Sequence, residues 1–209
     1  MIYLEIGMTI LMQCAAFLYL KMLDVESEKE KKKRRLLIFW VSIGLTIMVG
    51  IIAQKKSENL VEYIKMITLY QILFCAAVVD ARKKIIPDFL LLVGMCIRVF
   101  FYAIEFALLR FSWKEWIMKD FFGVLVGSGI LFLVYLISKD AIGLGDVKLF
   151  GVIGCYQGFV RTYSILFLSV LLTTIAAVFL ICVKKEKRNY SVAFAPFVFV
   201  SYIISIMFL

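Results

Sequence analysis

Blocks of roughly 17 to 25 apolar residues, each long enough to cross a hydrocarbon core as a helix, recur along this chain between short charged gaps. That spacing predicts an all-α fold, a polytopic transmembrane helical bundle making a single domain over residues 1–209. Composition agrees. Hydrophobic residues make up 64% of the chain and the mean hydropathy is +0.98, whereas an ordinary globular domain is about half apolar. The blocks place spans at 2–20, 36–53, 60–79, 86–109, 121–138, 147–160, 162–183 and 191–209. About eight spans put both termini on one side of the membrane. After Lys148 at its start, the stretch 147–183 carries Arg161 as its single charge and is nearly twice the length of one span. Two spans with a tight turn at 157–161 fit it, and a re-entrant segment followed by one span is the alternative.

The net charge of +9 does not point to nucleic acid, because Lys and Arg sit in the gaps between apolar blocks. There they report orientation. With the N-terminus outside, the inner gaps 21–35, 80–85, 139–148 and 184–188 hold sixteen of the 24 basic residues, and the outer gaps hold six. Trp113 and Trp116 suit an aromatic belt on the outer side. The N-terminal block lacks a basic leading region and carries Glu5, so we read it as a retained span rather than a cleaved signal. The loop 21–35, KMLDVESEKEKKKRR, reads as a solvated extension whose basic end meets anionic lipid.

Residue inventory narrows the chemistry. The chain has no histidine, which removes Ser-His and Cys-His nucleophiles, His-ligated zinc and haem. The five cysteines, Cys14, Cys75, Cys96, Cys155 and Cys182, fall in five different blocks without a CxxC pair, and read as apolar filler. No metal site and no cofactor is expected.

Asp80 ends the third block and Asp146 opens the sixth, so this topology brings both to the cytoplasmic boundary. An ionisable residue at membrane depth is expensive, and two at one depth suggest a functional pair. Like charges held close together cannot both ionise comfortably, so such a pair shares one proton. One carboxylate then activates water while its protonated partner polarises a scissile carbonyl. Each acid also has a plainer reading. Asp146 follows Gly143-Leu144-Gly145 and could simply cap the helix behind it. Near Asp80, in DARKKIIPD, Pro87 and Asp88 read as helix-start residues and Arg82, Lys83 and Lys84 as a membrane-surface anchor.

Together, D-x6-P-D from Asp80 to Asp88 and the run GLGDVKLFGVIGCYQG from Gly143 resemble the type IV prepilin peptidases, a family of GxGD membrane aspartic proteases. The resemblance implies catalytic aspartates at Asp80 and Asp146, with Gly143 and Gly145 as the signature glycines. It continues through Lys148 and Leu149 to Gly154 and Gly158, whose small-xxx-small spacing lets two helices approach closely. A further stretch, Ala193-Phe194-Ala195-Pro196, is similar to the family's PFGP segment, with alanine for its first proline and for its glycine. Larger relatives insert a cytoplasmic domain with paired CxxC zinc ligands and also methylate the trimmed pilin. The corresponding loop here is fifteen residues without cysteine, which implies a peptidase-only form.

The resemblance implies cleavage of a short basic leader from prepilin or pseudopilin precursors at the cytoplasmic face of the cell membrane, by a multi-pass protein embedded in the lipid bilayer. Glu26, Glu28 and Glu30 would draw such a leader in. Two other classes compete: a proton-coupled transporter using Asp80 and Asp146 as relay or cation site, and a membrane phosphotransferase holding magnesium. The latter commonly needs a further Asp one helical turn on, and none follows Asp146. Arg98, mid-block, is expected to snorkel or to pair with Glu5 or Glu105, and Glu62 with Lys65.

Overall fold

The computed structural model describes Gly7, Gln13 and residues 29–57, 59–108, 113–137, 142–184 and 192–208. Among these residues the chain is all-helical: α1 (Lys29–Lys56), α2 (Leu60–Lys83), α3 (Asp88–Leu108), α4 (Trp113–Ile137), α5 (Leu144–Lys184) and α6 (Ala195–Phe208). The expected span 2–20, the acidic part of loop 21–35 and the side chains of Trp113 and Trp116 lie outside the described residues, apart from Gly7 and Gln13.

Among the described residues four helices are long and apolar enough to cross a membrane by length and composition: α2, α3, α4 and α5. Two features differ from the expected spans among the described residues. The expected last span is a helix of 14 residues, which reaches only about 21 Å against a core of about 30 Å. The expected sixth and seventh spans run together as α5, 41 residues interrupted at Gly158.

That interruption reverses the chain. Straight, α5 would be about 62 Å long, and Phe150 and Thr162 would stand about 18 Å apart along its axis. Both instead lie against Gly127 of α4. A Cβ placed there would meet Thr162 Cγ2 at 2.8 Å and the Phe150 carbonyl oxygen at 2.9 Å. The first limb, residues 144–157, runs antiparallel to α4, with Gly154 on Gly123 and Gly158 near Lys119. The second limb returns beside the same helix. The expected turn at 157–161 brackets the break, which sits at Gly158 because φ of 68° with ψ of −173° is a combination essentially confined to glycine.

The α4–α5 seam is a backbone contact. A Cβ on Gly154 would come within 2.5 Å of the Gly123 carbonyl carbon and the Val124 nitrogen, and one on Gly123 within 2.6 Å of the Gly154 carbonyl oxygen. The glycine pair Gly154 and Gly158 thus has a matching pair, Gly123 and Gly127, on α4, as expected where helix association relies on close packing rather than on water exclusion.

The centre of the molecule is α2, packed by α1, α3, α5 and α6 and buried along most of its length. Tyr70 and Phe74 of α2 close on Phe199 of α6, with ring centroids 5.2 and 5.8 Å apart. The outward faces of α3, α4 and the second limb of α5 expose large apolar side chains such as Phe100, Leu133 and Phe179, a surface suited to lipid tails. This arrangement gathers the C-terminal end of α2 and the N-terminal ends of α3, α5 and α6 at one end of the bundle.

Candidate active site

Asp80 lies in the last turn of α2, buried, and its carboxylate accepts the backbone N–H of Ala195 at 2.9 Å. Ala195 is the first residue of α6, so Asp80 satisfies one of the orphan donors at that helix end from 115 residues away. The stretch Ala193-Phe194-Ala195-Pro196 therefore meets the first aspartate through its backbone. Alanine in place of glycine leaves that N–H intact. The chain leaves α2 through Lys84, whose φ of 53° is left-handed and whose N–H returns to the Asp80 carbonyl at 2.8 Å, closing the helix.

Asp146 sits in the first turn of α5, partly buried, with Gly143 as the entry to the helix. The Gly143 carbonyl accepts the N–H of Asp146 at 3.0 Å and that of Val147 at 3.4 Å. The Asp146 carboxylate folds back over Gly143, and a Cβ there would stand 3.4 Å from Oδ2. The side chain thus helps start its own helix, as the capping alternative requires. It also lies within electrostatic range of Asp80, which a capping residue has no need to do.

Two contacts hold the aspartate-bearing segments to each other. Gly145 packs on Ile86, where a Cβ would sit 3.2 Å from the Ile86 Cβ, tighter than ordinary contact. Lys148 Nζ donates to Asp88 Oδ1 at 2.7 Å, an exposed ion pair. Pro87 stands immediately before α3, its carbonyl accepting the N–H of Leu90 at 3.1 Å. Gly143, Gly145, Lys148, Pro87 and Asp88 thus lie where the two aspartate-bearing segments meet. Gly154 and Gly158 are not, lying about 12 and 18 Å further along the first limb, where they serve the seam with α4.

Sequence reasoning missed the larger charged cluster. Arg98, 1% exposed, sends Nη1 to both carboxylate oxygens of Glu105 at 3.2 Å, Nη2 to Asp120 and Nε to the Cys155 carbonyl at 2.7 Å. Lys65 of α2 pairs with Glu105, and Tyr102 donates to Asp120 at 2.8 Å while its ring lies 4.0 Å from the guanidinium carbon. The expected Arg98–Glu105 pairing is present, and Glu5 is outside the described residues. Asp120 went unnoticed because the fifth block was started one residue after it. The signal was available: a mid-membrane arginine needs buried acids. Glu62 lies 3.8 Å from Arg161, whose Nη1 also meets Gln157. Among the described residues no group of three or more His, Cys, Asp or Glu could hold a metal ion.

A family model described as the type IV leader peptidase family matches residues 67–178, more than half of the chain and a stretch that contains both aspartates. No curated protein and no solved structure matches the chain.

Proposed function

The chain belongs to the type IV leader peptidase family, and on that premise we propose that it is a membrane-embedded aspartic endopeptidase with Asp80 and Asp146 as its catalytic pair. The observation that carries this reading is that two carboxyl groups from distant segments lie within electrostatic range of each other, Asp80 holding the Ala195 amide and Asp146 folded over the Gly143 turn. Two such groups at one site hold a proton in common. The ionised member draws a proton from a water molecule as that water attacks the scissile carbonyl. The protonated member donates to the carbonyl oxygen, and the proton returns to the departing amine. The Ala195 amide keeps the Asp80 carboxylate from rotating, and the Gly143 turn does the same for Asp146.

Substrates are prepilin-like or pseudopilin precursors, cut between a short basic leader and the apolar helix that follows. The distribution of Lys and Arg supports a cytoplasmic location for the pair in a multi-pass cell-membrane protein with both termini outside. Arg82, Lys83 and Lys84 then lie at the lipid surface beside the site. The transporter alternative finds no support in the family.

The test is cleavage of a pilin precursor by protein purified in detergent, comparing the parent with Asp80→Asn and Asp146→Asn. Both variants should lose cleavage, with no added metal needed by the parent. Retained activity in either variant removes that residue from the pair.

A further inference from the structure

We propose that Arg98 is a positioning residue: it caps the C-terminal end of the first limb of α5 and so sets the height of Asp146, at the limb's other end, against Asp80. The catalytic part of this statement rests on the peptidase reading above; the structural part does not.

The limb is 14 residues long, residues 144–157, and ends where Gly158 leaves helical geometry. The last four carbonyls of a helix have no partner within it, and Cys155 is among them. They also carry the negative end of the helix dipole, which a cation stabilises. Arg98 Nε donates to the Cys155 carbonyl at 2.7 Å and its charge stands at that end. The glycine that turns the chain thus creates an acceptor, and Arg98 meets it from α3.

The contact is one of a series. Lys148 meets Asp88, Val152 faces Gly94, the Tyr156 hydroxyl donates to the Gly94 carbonyl at 2.8 Å, and Cys155 meets Arg98. Positions rise together on both helices, so α3 runs parallel to the limb and grips one face of it from the first turn to the last. The bottom contact is an exposed ion pair, which holds weakly. The top contact is buried and its donor is itself held by Glu105, Asp120 and the Tyr102 ring. Lys65, Arg98, Glu105 and Asp120 sum to no net charge, which lets the cap sit at depth.

Two double variants separate capping from charge compensation, because each removes one positive and one negative charge. Arg98→Met with Asp120→Asn deletes the cap and leaves the Lys65–Glu105 pair. Lys65→Met with Glu105→Gln deletes that pair and leaves Arg98 on Cys155, balanced by Asp120. Hydrogen exchange in detergent should accelerate about tenfold or more across 144–157 in the first variant alone, because a limb freed at its end opens locally. In leader cleavage, kcat should fall about tenfold or more in the first variant with KM unchanged, since a small misplacement of a reacting group costs rate rather than binding. Equal exchange across 144–157 in the two variants overturns the proposal, as does faster exchange with unchanged kcat. If the parent cleaves no precursor, the peptidase reading fails, and the exchange comparison still decides whether Arg98 holds the limb.

Discussion

Among the described residues, two regions with buried charge lie toward opposite ends of the first limb of α5, and they are handled in opposite ways. Around Arg98, two cations and two anions from three helices are buried and bonded to one another, with a ring and a backbone carbonyl completing the set. At the other end, Asp80 and Asp146 are two carboxyl groups within each other's field, Asp80 holding the Ala195 amide and Asp146 folded over the Gly143 turn. A compensated cluster leaves little free energy to be gained by moving a proton. A pair of like charges is poised to exchange one, which is what acid–base chemistry needs. Burial alone therefore does not distinguish the two regions; the sign of the neighbouring charges does.

Several substitutions bear on that contrast. The largest effect is expected at the aspartate pair: Asp80→Asn or Asp146→Asn should lower leader cleavage by about 10²–10⁴-fold. Unfolding in detergent should be unchanged, because asparagine still accepts a hydrogen bond and a like charge has been removed. If either variant unfolds like a core mutant, the two regions do not differ in kind.

The reverse is expected at the cluster. Asp120→Leu leaves Arg98 short of a counter-charge and should cost about 3–5 kcal/mol of stability, read as a lowered unfolding midpoint or loss of folded protein on size exclusion. Stability within the error of the parent would show that the cluster is not compensated as described.

At the seam between the regions, Gly154→Ala and Gly158→Ala should each cost about 1–3 kcal/mol, for different reasons. The first drives a Cβ into the backbone of α4; the second has room, its nearest neighbour being 3.6 Å away, but forces alanine to a glycine conformation. Shortening the facing side is impossible, as Gly123 is already a glycine, so no second-site change on α4 at that position should rescue Gly154→Ala. The smallest effect belongs to Lys148→Met, which removes an exposed ion pair worth about 0–1 kcal/mol. A thermal shift larger than that of Gly154→Ala would place the grip on the limb at its lower end instead.

Much of the aspartate end was legible beforehand because its residues sit in short, local patterns. Asp80, Pro87 and Asp88 share one turn between helices, and Gly143, Gly145, Asp146 and Lys148 share one helix start. Each pattern constrains a backbone path within a few residues. Reading that the two patterns meet required only that both lie at the same depth. Ala195 was flagged by its neighbours yet not assigned a bond, since a backbone N–H carries no residue signature. The Arg98 cluster was half visible. Glu105 lies on the same helix, within reach of periodicity, whereas Asp120 and the Cys155 carbonyl come from other helices, and no local spacing announces them.

Block length and hydropathy decided that the chain is helical and suited to a membrane, because the cost of burying unpaired backbone groups leaves no other use for such segments. They did not decide how many of those segments are long enough to span, since the last is shortened to 14 residues and two are joined through Gly158. Nor could they show which charges cancel. That depends on where helices cross and how they rotate, and it is set by close contacts such as Gly123 on Gly154, whose energy depends on tenths of an ångström between residues far apart in sequence.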